Sequence, residues 1–187
     1  SGVRLVKQTV DLDTGPEDIV EELPPFARSG PNLPPNNPLL GERLRAVDEI
    51  VRWKSFDGLE IEGVLTRPPE SVARPPYKLL LHPHGGPHSR STSGSGFEVQ
   101  LFASRGFAVF QPNFRGSTGY GLKFLDADRN DFGGGDMRDI LTGIEHLVQK
   151  GIVDARRQFV YGVSYGGFMT SWLVGQTRQF RAAVAQN

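Results

Sequence analysis

The stretch that decides the fold is Phe159-Val160-Tyr161-Gly162-Val163-Ser164-Tyr165-Gly166-Gly167, where a short apolar run meets a serine flanked by glycines. The run predicts a buried strand, and Ser164 to Gln176 predicts a helix. A serine at such a junction is held in a tight, strained turn above the sheet, and the glycines leave room for neighbouring backbone. The pattern predicts Ser164 as a nucleophile, with the Tyr165 N–H placed to bind an oxyanion. The alternative is a glycine-rich turn with an incidental serine.

A second glycine-rich loop, His84-Gly85-Gly86-Pro87-His88, follows an apolar run from Tyr77 to His82 that predicts a strand buried on both faces. An oxyanion hole at a serine of this kind needs a second donor from the loop after the third strand. Glycine lets a backbone N–H approach a substrate closely. The loop also comes before the serine, as this arrangement requires. It therefore supplies the second donor, unless it is a plain turn that ends a strand.

The remaining patterns alternate between strands and helices. The predicted strands are a hairpin of Ile50–Trp53 and Ile61–Leu65 around Phe56-Asp57-Gly58, a buried strand at Gly106–Gln111, and a last strand starting at Ala182–Ala185. The predicted helices are one lined by Phe97, Val99, Leu101 and Phe102 and stopped by Gly106, and one from Asp136 to Lys150 with Asp136 as N-cap. This order predicts an α/β fold with a mainly parallel sheet and helices on both faces.

Composition excludes several classes of function. The 21 basic and 21 acidic residues cancel, which argues against a nucleic-acid partner, and the absence of cysteine removes disulfides, thiolate metal sites and cysteine nucleophiles. No apolar run approaches the ~20 residues that span a membrane. The N-terminus shows no signal peptide. We therefore expect a cytoplasmic protein with no membrane or nucleic-acid partner.

The N-terminal quarter differs in composition from the rest. Seven of the 14 prolines lie between Pro16 and Pro38, which leaves too few backbone donors for a central strand. We interpret residues 13–46 mainly as a long extended connection after a short strand. Loops of this length suit a tether between domains.

Two clusters resemble metal sites but lack essential ligands. His82, His84 and His88 invite a zinc interpretation, yet no carboxylate cluster accompanies them. Residues 126–131 imitate the start of a calcium loop, but Asp131 stands where glycine is required and Met137 where glutamate is required. We expect no metal and no cofactor.

Several motifs together resemble the prolyl oligopeptidase family of serine peptidases, and most closely its acylaminoacyl-peptidase branch. They are the segments 53–63, 84–88, 113–121, 135–139, 153–154 and 162–170, which follow the family's order. The resemblance implies that residues 47–187 form the N-terminal part of an α/β-hydrolase peptidase domain. It also implies that residues 1–46 hold the end of a β-propeller and a Pro-rich linker.

The resemblance assigns roles to individual residues. It implies Ser164 as the nucleophile that forms an acyl-enzyme with short peptides near an acylated N-terminus. It implies an oxyanion hole made by Tyr165 and the Gly85-Gly86 loop, with the second donor on the Gly86 N–H because His84 stands where other branches carry a tyrosine. His84 and His88 are candidate substrate-loop residues. Arg115 is assigned a structural role after its strand.

One departure from the family pattern concerns the catalytic triad. In this fold the order along the chain is Ser, Asp, His, but neither Asp nor His follows Ser164. We therefore expect a truncated hydrolase domain whose remaining part is supplied by the same or a separate chain. The alternatives are a carboxylesterase of the same fold and an inactive fragment. A homo-oligomer is left open.

Overall fold

The computed structural model describes residues 6–7, 21–22, 46–94 and 96–187. The strands are β1 Val6–Lys7, β2 Glu21–Glu22, β3 Val47–Lys54, β4 Glu60–Arg67, β5 Tyr77–Leu81, β6 Phe107–Asn113, β7 Val153–Val163 and β8 Phe180–Gln186. The helices are α1 Phe97–Ser104, α2 Leu122–Leu125, α3 Gly135–Gln149 and α4 Tyr165–Gln176, with a 3-10 turn at Asp126–Asp128. No helix in these ranges is long and apolar enough to cross a membrane.

The main sheet has six strands in the order β3-β4-β6-β5-β7-β8. The strands β6, β5, β7 and β8 pair in parallel, whereas β3 and β4 form an antiparallel hairpin that joins β6 antiparallel at the other side. The predicted α/β fold with a mainly parallel sheet is confirmed. The carboxyl ends of β5 and β7 lie side by side, which brings the two glycine-rich loops to one edge of the sheet.

Alternating side chains of the central strands build two cores. Leu79 and Leu81 of β5 are fully buried in a large cluster that includes Ile144 of α3 and Leu173 of α4. Leu80 points to the opposite face because successive strand residues alternate, and there it joins a smaller cluster with α1. Helices therefore cover both faces of the sheet, as predicted.

The hairpin at the sheet edge forms around the predicted turn. Lys54 pairs with Glu60, and the Ser55 N–H donates to the Leu59 carbonyl oxygen at 2.8 Å across the loop. Gly58 has φ +86°, a backbone conformation that favours glycine. The Asp-Gly pair thus fixes where the chain reverses, and this prediction is confirmed.

Helix α1 presents a different face to the sheet from the predicted one. Val99 and Ala103 are buried, and Phe102 packs partly against the smaller core. Phe97 and Leu101, which the prediction placed on the same side, are largely exposed. The prediction was wrong because it grouped residues two apart, whereas a helix face repeats every three or four residues.

Two element boundaries also differ from the predicted ones. Helix α3 begins at Gly135 with Gly134 as its N-cap, so Asp136 lies inside the first turn and does not cap the helix. Strand β7 has eleven residues where only Phe159–Tyr161 was predicted. Its first half contains polar residues and a register shift against β5, so it carries no continuous apolar signal.

The predictions for residues 1–46 lie almost wholly outside the described residues. The described part includes only an antiparallel pair, in which Val6 faces Glu22 and Lys7 faces Glu21. The pair shows that the segment predicted as a connection contains a short strand at Glu21–Glu22. The end of a β-propeller and the Pro-rich linker remain predictions.

Candidate active site

Ser164 occupies a strained turn between β7 and α4. Its φ of 57° and ψ of −122° lie where a residue with a side chain is rarely found. Among the residues that the structure describes, Asn130 is the only other non-glycine with a positive φ. Such a conformation costs about 1–3 kcal/mol and persists only where its surroundings enforce it. The Ser164 N–H donates to the Gln186 carbonyl oxygen of β8 at 2.8 Å, which helps to hold the turn.

The two flanking glycines are required by close backbone contacts. A Cβ on Gly162 would overlap the carbonyl oxygen of Gly166, and a Cβ on Gly166 would overlap the carbonyl oxygen of Pro83. The Ser164 residue itself is exposed. The turn therefore presents the serine at the surface while the glycines let the chain pass beneath it.

The loop after β5 lies directly against this turn. A Cβ built on Gly85 would be 3.5 Å from the Ser164 Cβ and 3.3 Å from the Val163 carbonyl oxygen. Gly86 follows with φ +124°, and a Cβ there would meet the His88 backbone nitrogen at 2.7 Å. A side chain at Gly85 would press against the serine turn, whereas at Gly86 the positive φ and the nearby His88 backbone favour glycine. The structure thus brings Ser164, Tyr165 and the Gly85-Gly86 loop together.

His84 supports this loop from within the protein. Its ring stacks on Phe114 with centroids 4.4 Å apart. Nδ1 lies 2.8 Å from the Gly85 carbonyl oxygen, and Nε2 lies 2.9 Å from the Ser117 Oγ. Burial lowers the pKa of His84, which favours the neutral ring. The two ring nitrogens thus contact polar groups on both sides, which fixes the ring beside the Gly85 peptide.

The other two histidines of the region have separate surroundings. His82 stacks on Tyr161, and its Nδ1 lies 2.9 Å from the Tyr161 carbonyl oxygen. His88 is exposed, with Nε2 3.5 Å from Asp128 Oδ1. The three histidines that invited a zinc interpretation therefore face different partners.

Tyr165 is held by Asp136, a residue whose place in the sequence predicts a helix N-cap. Its hydroxyl donates to Asp136 Oδ2 at 2.5 Å. Burial raises the pKa of the fully buried Asp136 carboxyl, and burial followed by the hydrogen bond to Asp136 raises the pKa of Tyr165. The signal for this role was present in α3, where Asp136, Asp139 and Ile140 recur at helical spacing on the buried face.

A buried ion pair lies behind these residues. Arg115 donates from its backbone N–H and from Nε to Asp139 Oδ2, and from Nη2 to Asp139 Oδ1, at 2.7–2.9 Å. The side chain of Asp139 is fully buried, and Ser55 also donates to it. The hydrogen bonds that Arg115 donates to Asp139 raise the pKa of Arg115, and those that it donates to Asp57 lower the pKa of Asp57. These contacts agree with the structural role expected for Arg115.

Comparison with known proteins assigns this arrangement to a family. The sequence pattern of the prolyl oligopeptidase family matches residues 92–187, which is just over half of the chain. The chain belongs to the prolyl oligopeptidase family. This match confirms the family that the sequence motifs predict.

Individual relatives and a solved structure show the same relationship. The uncharacterized peptidase YuxL of Bacillus subtilis is 39% identical over 152 residues, which cover 81% of this chain and 23% of that protein. Acylamino-acid-releasing enzyme 1 of Oryza sativa subsp. japonica is 35% identical, with coverage of 72% and 17%. The solved acylaminoacyl peptidase of Pyrococcus horikoshii superposes with a TM-score of 0.72 at 31% identity, covering 79% of this chain and 24% of that chain. The chain thus spans about a fifth of the length of these curated relatives.

Proposed function

We propose that the protein is a serine peptidase that hydrolyses short peptides near an acylated N-terminus, with Ser164 as its nucleophile. The observation that carries the proposal is the approach of the Gly85-Gly86 loop to a serine held at positive φ. A strained, exposed serine beside two glycines is the arrangement that acyl transfer needs, because the carbonyl oxygen must fit between serine and backbone donors.

The proposed reaction has two steps. The Ser164 Oγ attacks the substrate carbonyl carbon while a base takes its proton, and the resulting oxyanion accepts hydrogen bonds from the N–H groups of Tyr165 and Gly86. The C–N bond then breaks, the amine leaves with the proton, and water hydrolyses the acyl-enzyme to release the acid. Tyr165 is the first residue of α4, so its N–H is among those that the helix leaves unused. We propose that the base and its carboxylate come from the remaining part of the hydrolase domain, on the same or a separate chain.

Preference for acylated peptides is supported by the names of the relatives. The rice relative is called an acylamino-acid-releasing enzyme and the Pyrococcus structure an acylaminoacyl peptidase. Other similar structures are described as puromycin hydrolase, so members of the family differ in what they cleave. The cytoplasmic location and the absence of nucleic-acid and membrane partners stay predictions.

The whole protein, treated with acetyl-alanyl p-nitroanilide, alanyl p-nitroanilide and p-nitrophenyl acetate, tests the proposal. We expect turnover of the acetylated anilide well above that of the free amine, because the proposed substrate carries a blocked N-terminus. Turnover of the ester with none of either anilide would identify a carboxylesterase instead. Preference for the free amine would retain the peptidase and reject the acyl specificity.

Replacing Gly86 with valine should lower kcat about 100- to 1000-fold in the whole protein, the usual effect of losing one oxyanion donor. The valine side chain would meet the His88 backbone and so displace the Gly86 N–H from its proposed place in the oxyanion hole. The matched control is Gly151→Val, because Gly151 also has a positive φ but open space around it at the opposite end of β7. A change in KM alone, with kcat unchanged, would show that the loop binds substrate without carrying the oxyanion hole.

A further inference from the structure

The contact between Tyr165 and Asp136 joins the start of α4 to the first turn of α3, next to the loop that enters α3. The Tyr165 hydroxyl donates to Asp136 Oδ2 at 2.5 Å. The same carboxylate accepts the Gly133 N–H at 3.2 Å and the Met137 N–H at 2.7 Å. Because both oxygens are engaged and the side chain is fully buried, the carboxylate is a fixed point and not a mobile surface group.

A second contact clamps the same loop to the same helix. The Trp172 Nε1–H donates to the Gly133 carbonyl oxygen at 2.6 Å. Trp172 lies seven residues after Tyr165, which places both side chains on one face of α4 about two turns apart. A Cβ on Gly133 would lie 2.6 Å from the Trp172 indole nitrogen, so this glycine lets the two segments meet.

Packing alone leaves the Tyr165 ring incompletely enclosed. Its neighbours are Phe114 at 6.1 Å, Phe132 at 5.4 Å and Phe168 at 5.1 Å between ring centroids. Phe132 is largely exposed and Phe168 lies at the surface. The hydrogen bond to Asp136 is therefore the directional contact that fixes the position of the Tyr165 hydroxyl, whereas the aromatic contacts only limit the space open to the ring.

We propose that Asp136 is a positioning residue for the oxyanion hole. It holds the Tyr165 side chain, and the backbone N–H of Tyr165 is one of the two proposed donors. The inference rests on the proposed function. The Tyr165 phenol and N–H share one Cα, so anchoring the phenol restrains the peptide plane at the end of the strained Ser164 turn. A donor held in place before reaction stabilises the transition state more than one that must first reorient.

The chain offers a matched control for this pair. The Tyr120 hydroxyl donates to Glu62 Oε1 at 3.0 Å, and burial raises the pKa of Tyr120 as it does for Tyr165. Tyr120 thus makes the same kind of phenol–carboxylate contact without adjoining the serine. Tyr120→Phe reports what the loss of such a bond does to the fold alone.

The test measures kcat and KM of the whole protein on acetyl-alanyl p-nitroanilide. It also measures Ki for a peptidyl trifluoromethyl ketone, because a serine adds to such a ketone to form a tetrahedral oxyanion. For Tyr165→Phe we expect kcat to fall about tenfold and Ki to rise by a similar factor, as for a lost hydrogen bond to a charged group. KM should stay within about twofold, because ground-state binding does not use the oxyanion donors. Tyr120→Phe should leave all three values close to those of the unchanged protein.

The double variant Tyr165→Phe/Asp136→Ala adds a second readout. Because Asp136 acts through the phenol, the double variant should lose no more kcat than the more damaging single variant. If Asp136→Ala does not fold, the Ki of Tyr165→Phe decides alone. Unchanged kcat and Ki in Tyr165→Phe, even with a lowered melting temperature, would overturn the inference, and so would a rise in KM without a rise in Ki. If the protein without any substitution neither turns over the substrate nor binds the ketone, the proposed function itself is overturned.

Discussion

Replacing Ser164 with alanine in the whole protein should abolish labelling by a fluorophosphonate and lower turnover by about 10⁴- to 10⁶-fold, as removal of a serine nucleophile does elsewhere. The loss is this large because the substitution removes the oxygen proposed to attack the substrate. The measurement is active-site labelling followed by peptide mapping, together with kcat on the acetylated anilide.

Two other serines make this prediction specific. Ser171 is exposed on α4 with Oγ 3.1 Å from the Gly167 carbonyl oxygen, and Ser117 is buried with Oγ 2.6 Å from the Phe114 carbonyl oxygen. Ser171→Ala is the matched control and should retain both labelling and turnover. A labelled peptide that contained Ser117 or Ser171 would contradict the assignment of Ser164.

Replacing Asp139 with alanine should lower the free energy of unfolding of this domain by about 3–5 kcal/mol, the usual cost of breaking a buried ion pair from one side. Of its two carboxylate partners Arg115 would keep only Asp57, which is partly exposed, and the guanidinium would remain in a largely buried site. Ser55 would also lose its acceptor. Urea denaturation, followed at the transition of this domain, measures the change.

An exposed ion pair provides the control for that experiment. Asp126 pairs with Arg129 at 2.7 Å, the same distance as between Asp139 and Arg115, but both side chains are mostly exposed. Asp126→Ala should therefore leave the urea midpoint nearly unchanged, because solvent already screens the pair. Equal destabilisation by both substitutions would show that burial does not determine how much the Asp139–Arg115 pair contributes to the free energy of unfolding.

The sequence predicted those features that a local pattern encodes. The apolar runs of β5 and β6 predict strands buried on both faces, and Asp57-Gly58 predicts the hairpin reversal. The glycines around Ser164 predict the turn, because their missing Cβ atoms correspond to backbone contacts that the structure contains. In each case one short segment determines the result, so no knowledge of distant residues is needed.

Contacts between distant segments were not predicted, because no single short segment determines them. Aspartate at position 136 is a residue type typical of an N-cap. Only the position of Tyr165, 29 residues later, shows that the Asp136 carboxylate accepts a hydrogen bond from a phenol instead. The first half of β7 carries no apolar run because its residues near Asp154 face solvent, and it joins β5 at Val153, opposite Tyr77, before the register shifts. Local composition cannot reveal such roles, because the partner decides them.

The hydrogen bond from the Ser164 amide to Gln186 has a consequence for protein synthesis. A ribosome that has added residues up to Thr177 has already made the flanking glycines and α4, but not the carbonyl that holds the serine amide. Strain at positive φ is maintained only where surrounding structure enforces it. The strained conformation of Ser164 therefore depends in part on a strand that is made after it, and a nascent chain that still lacks β8 lacks one of the contacts that hold the turn.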